Sequence, residues 1–91
     1  MGMPWSPMST LRRISAVEYE VWDSDRDYRV AIIRRVQIGH PITDYWRSVT
    51  GDENPKERNL LGYFPTLEFA THVTWRLWDQ HSRIPVEEQY V

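Results

Sequence analysis

The sequence predicts an α+β fold: a small three-stranded antiparallel sheet with one long helix packed across it. Three observations predict this. Two stretches, "SAVEYEVW" and "YRVAIIRRVQI", alternate apolar and polar residues with period two. The polar cluster "DSDRD" joins them as a hairpin turn would. A third stretch, "LLGYF", runs through Pro65 and Thr66 into a segment of helical period.

The strands are expected at Ile14–Trp22, Tyr28–Ile38 and Leu60–Phe64. In the hairpin, a loop from Asp23 to Arg26 sets Val21 opposite Tyr28, Tyr19 opposite Val30 and Val17 opposite Ile32. A slip of one residue would flip these apolar side chains to the solvent face, so burial selects this register. It also sets Glu20 opposite Arg29 on the outer face. Arg34 falls on the inner face, which places it at the sheet's end or marks a bulge.

Gly39, His40 and Pro41 end the second strand. In the insert that follows, Ile42, Tyr45, Trp46 and Val49 recur at i, i+3, i+4 and i+7, with Gly51 just past them. The spacing predicts a short helix between the second and third strands. Gly62 suggests a close backbone approach or an edge strand. The final helix is expected over Thr66–Ser82, with the Thr66 hydroxyl as its cap and Glu68 in the first turn. A 100° helical wheel puts Leu67, Ala70, Val73, Leu77 and Trp78 on one stripe, with Thr74 and His81 within it. Glu68, His72, Arg76 and Asp79 lie opposite. Residues 1–12 are expected as a flexible arm, 13–84 as a single domain and 85–91 as a tail that adds an edge strand or none.

A chain of 91 residues is one domain with a small core. Five tryptophans and five tyrosines exceed what that core needs, since each buried ring removes about 150–250 Å² from water. Some of them are therefore expected at a contact surface. There is no cysteine, which excludes disulfides and thiolate chemistry and fits a cytoplasmic protein. No apolar run is long enough to span a membrane, and the N-terminus lacks the pattern of a secretory signal.

The candidate chemical motifs are thin. Asp23, Asp25 and Asp27 alternate like the start of a calcium loop, but Tyr28 stands where the sharp turn needs glycine and Arg34 where a bidentate glutamate belongs. A hairpin turn is the better reading. His72 and His81 point away from each other on one helix, so they cannot share a metal. No nucleophile setting is present. The chain is expected to be non-enzymatic, with no catalytic residue, metal or cofactor.

From Leu61 to Ala70 the residues Leu61, Gly62, Phe64, Thr66, Glu68 and Ala70 form a strand-to-helix corner. This corner resembles that of plant ethylene-response-factor DNA-binding domains and of the arm-type DNA-binding domains of phage integrases. The resemblance covers about ten of 91 residues. It implies a three-stranded sheet on one helix, with DNA read by the sheet. The chain departs from both families in its net charge of −2 and in the long insert from Gly39 to Asn59.

The leading functional expectation is a small interaction module that self-associates, most simply as a dimer. Trp75, Trp78 and Trp5 are its expected interface residues. Trp75 falls about 60° from the apolar stripe, at the edge of the polar face, and Trp78 on the stripe itself. The alternative is a nucleic-acid-binding domain whose sheet face uses Arg29, Arg35, Arg47 and Trp22. A third reading is a small-ligand pocket lined by tryptophans between sheet and helix.

Overall fold

The computed structural model describes residues 9–83, with side chains described for residues 10–80. Five strands and one α-helix follow in order: β1 (Ser9–Arg13), β2 (Glu18–Asp23), β3 (Tyr28–Ile38), β4 (Thr43–Thr50), β5 (Leu60–Phe64) and α1 (Leu67–Arg83). A short 3₁₀ turn, Pro55–Glu57, lies between β4 and β5. The sheet is an antiparallel meander in the order β1-β2-β3-β4-β5. The α+β class stands, but the expected three-stranded sheet is a five-stranded one.

The first added strand, β1, falls in the stretch read partly as an arm. Its residues Leu11 and Arg12 pair with Val21 and Glu20. Only Leu11 packs on the core, so the sequence shows too few apolar repeats to betray a strand. Trp5 and the 85–91 tail lie outside the described residues.

The second added strand, β4, replaces the short helix expected over Ile42 to Val49. Thr, Tyr, Trp and Val favour a pleated surface, and their apolar side chains fall on both faces of it. Trp46 packs against the core, whereas Val49 lines a cleft on the opposite face. Ile42, part of the expected helical stripe, is 67% exposed. Gly51 closes β4 with its backbone against Arg29: its N–H donates to the Val30 carbonyl at 3.0 Å and its carbonyl accepts from Arg29 Nε at 3.1 Å. A Cβ there would collide with the Arg29 carbonyl.

The hairpin register differs from the expected one. Asp23 pairs with Tyr28 and Val21 with Ala31, and the register shifts between Val21 and Trp22. Val30 is the extra residue of this β-bulge, and both Val30 and Ala31 are buried. The bulge reverses the alternation beyond it. Ile32 and Arg34 therefore lie on the outer face, which explains why Arg34 was a misfit on the inner one. Two forces hold the turn one step later than expected. Asp23 Oδ1 accepts from the backbone N–H of Asp25 at 3.1 Å and of Arg26 at 3.2 Å. Asp27 takes a positive φ of 50°, which aspartate tolerates.

The helix starts where the sequence placed it, with the Phe69 N–H donating to Thr66 Oγ1 at 3.1 Å. Its buried stripe is rotated from the expected one. Ala70, Thr71 and Thr74 are buried, whereas Leu77 is 43% exposed. The core joins Val21, Val30, Ala31, Ile33 and Ala70, with Leu11, Trp46, Leu61, Phe64, Leu67, Trp75 and Trp78 packed around them. The α-helix contacts β3, β4 and β5 on one face of the sheet, and the 3₁₀ turn borders a cleft on the other through Pro55. No helix among the described residues is long and apolar enough to cross a membrane.

Candidate functional site

Alternation sends Arg12 of β1, Glu18, Glu20 and Trp22 of β2, Arg34 of β3, and Arg47 of β4 to the face away from the helix. The Val30 bulge keeps Arg29 on this face as well. Arg29 Nη1 donates to Glu20 Oε2 at 2.9 Å, and Trp22 Nε1 donates to Glu20 Oε1 at 3.0 Å. The Arg12 guanidinium stacks 4.7 Å from the centre of the Trp22 ring. Burial raises the Glu20 pKa, but the hydrogen bonds from Trp22 and Arg29 and the charges of Arg29 and Arg12 outweigh it and hold the carboxyl below its ordinary value. This half of the face is a closed network.

The other half is not closed. Arg34 and Arg47 are direct cross-strand neighbours, and Arg47 pairs with Tyr63 on its other side. Arg34 Nη1 donates to Glu18 Oε1 at 3.0 Å. Arg47 Nε is buried and has no acceptor among the described residues. Arg58 enters from the loop before β5, fixed by its Nε donating to the Asp52 carbonyl at 2.8 Å. Together with Ile32, Val49 and Tyr63, these arginines line a cleft of about 370 Å³. The chain is acidic overall, yet arginines outnumber carboxylates on this face.

The nucleic-acid candidates divide. Arg29, Arg47 and Trp22 lie on the outer face, but Arg29 is bound to Glu20 and so is not free of a carboxylate. Arg35 has the parity of Ile33 and sits opposite Trp46, on the helix side. Sequence reasoning missed Arg12, Arg34 and Arg58 as members of the face. Arg12 lay in the presumed arm and Arg58 in a solvated loop; only the misplacement of Arg34 was a usable signal.

The interface candidates divide too. Trp75 is half-buried and packs against the core. Trp78 stacks on Tyr28 with ring centres 5.1 Å apart, and its Nε1 donates to Asp23 Oδ2 at 2.9 Å. Trp5 lies outside the described residues. An apolar cleft of about 440 Å³ does open beside the helix, lined by Val30, Leu61, Leu77 and Trp78 among others, with Trp78 as its single tryptophan among the described residues. No group of three or more metal-ligating side chains occurs among the described residues. No family model, curated protein or solved structure matches the chain.

Proposed function

We propose that the chain is a non-enzymatic binding module whose outer sheet face takes single-stranded nucleic acid. One observation carries this reading: the sheet face not covered by the helix bears Arg12, Arg34, Arg47 and Arg58 around Trp22 and Tyr63. Rows of arginine interleaved with aromatic rings suit a strand that offers both phosphates and base faces. Tyr63 is 45% exposed beside Arg47, so its ring is available for stacking.

Width favours a single strand over a duplex groove. Five strands at a spacing of about 4.8 Å span about 19 Å, more than the roughly 12 Å of a major groove. Self-association through Trp75 is the second reading: the ring packs in part against the core and is in part exposed.

The test is a fluorescence-anisotropy titration of a labelled single-stranded oligonucleotide over a range of salt concentrations. Binding should weaken with salt, with a log–log slope of about −0.7 per phosphate contact. Arg12→Ala and Arg34→Ala should each weaken binding and flatten the slope. No binding at low salt, or binding indifferent to salt, overturns the proposal.

A further inference from the structure

The cleft on the outer face has features that the laying down of a strand does not require. Arg34 and Arg47 stand directly opposite each other in the register. Like charges in that position repel and destabilise a sheet. Glu18 answers Arg34 at 3.0 Å. Arg58 is anchored by a carbonyl, a neutral acceptor that orients the guanidinium without cancelling its charge. The buried Arg47 Nε has no acceptor among the described residues. A buried guanidinium N–H left in this way is costly, and it marks Arg47 as the least satisfied of the arginines around the cleft.

We propose that this cleft is a binding site for a phosphate group. A tetrahedral oxyanion presents several oxygens at once and can accept from converging guanidinium forks in a way that a single carboxylate cannot. Arg34, Arg47 and Arg58 each line the cleft, so one oxyanion there has three guanidinium groups within its wall. The charge fits as well: three arginines face one carboxylate, Glu18, which leaves room for a dianion. The cleft is larger than a bare phosphate, and Tyr63 in its wall can pack against whatever carries the group. The carrier is either the terminal nucleotide of a strand or a small phosphorylated molecule. The site stands whether or not strands lie on the rest of the face, because inorganic phosphate alone probes it.

The experiment follows the arginine Nε–Hε signals by ¹⁵N NMR during titration with inorganic phosphate, against sodium chloride at equal ionic strength. The Arg47 signal should shift saturably with phosphate, with a Kd on the order of 1 mM, and should not follow chloride. Arg47→Lys keeps the charge but loses the fork and should weaken binding about tenfold. Arg35→Gln, on the opposite face, should leave it within about twofold. If Arg47→Lys fails to fold, Arg58→Gln is read in its place, with the same loss expected. Short oligonucleotides with and without a 5′-phosphate then separate the carriers. A 5′-phosphate preference marks a nucleotide end, and equal binding of the two marks a small phosphorylated molecule. The proposal falls if phosphate and chloride act alike, or if the arginine variants bind phosphate as the wild type does. Phosphate binding that persists where oligonucleotides fail overturns the strand reading alone.

Discussion

The Ser48 and Thr74 hydroxyls meet at 2.7 Å in the helix–sheet interface, where both residues are buried. Each satisfies the other, so two polar side chains occupy positions that would otherwise need apolar ones. Ser48→Ala leaves the Thr74 hydroxyl without its partner and should destabilise the fold by about 1–3 kcal/mol. Thr74→Val alone should cost a similar amount. The double variant should cost less than the sum of the two, because no donor or acceptor is then stranded. Urea unfolding of the four proteins checks the cycle; strict additivity would show that the bond carries no coupling.

The same pair explains two misreadings of the sequence. On β4 the inward series from Trp46 continues through Ser48, a polar residue, so apolar alternation fails and the helical spacing of Tyr45, Trp46 and Val49 takes over. On α1 the buried stripe contains Thr71 and Thr74, so a wheel ranked by apolarity rotates toward Leu77. The β5-to-helix corner was legible because Phe64, the Thr66 cap and Ala70 act locally. The hairpin was legible as a hairpin, and Glu20 does form an ion pair with Arg29, although Ile32 and not Arg29 stands opposite it in the register. Its register was not, because a bulge depends on neighbours across the sheet. The outer face was half legible: Arg29, Arg47 and Trp22 could be named, but their shared face with Arg34 required the bulge.

Asp23 links the hairpin to the helix. It is 3% exposed and accepts from two backbone N–H groups of the turn and from the Trp78 indole. Asp23→Ala should cost about 2–4 kcal/mol, since it strands three donors at once. Asp23→Asn can keep the turn contacts through its carbonyl but offers Trp78 an N–H instead of an acceptor, so it should cost less. Thermal melts followed by tryptophan fluorescence should rank the wild type above Asn and Asn above Ala. Equal melting temperatures for the two variants would assign the whole effect to the Trp78 bond.

Glu20 makes stability depend on pH. Its folded pKa lies below the ordinary value of 4.5, so its contribution is present above that value and is lost as pH falls through the folded pKa. Glu20→Gln should therefore be less stable than the wild type near neutrality. The difference should shrink as pH drops below about 4.5 and vanish once the wild-type carboxyl is protonated. Denaturant midpoints of both proteins from about pH 7 to about pH 3 give the comparison. A gap that stays constant over that range would mean that Glu20 acts by shape and not by charge.

Trp75 was expected at the edge of the polar face as an interface anchor; in the structure it is half-buried, with part of the ring packed against the core. That position predicts how substitutions will behave. Trp75→Phe keeps most of the contact and should cost about 1–2 kcal/mol. Trp75→Ala should cost about 2–4 kcal/mol, toward the lower end for a large core residue because the ring is only half-buried. Trp75→Glu adds a charge at an apolar contact and should unfold a large share of the molecules. An interface anchor would behave otherwise: the glutamate variant would stay folded and only its mass at high concentration would fall. Circular dichroism and light scattering on the same samples separate the two. A fully folded Trp75→Glu variant of lower mass would restore the tryptophan to a contact surface and reopen self-association as the chain's role.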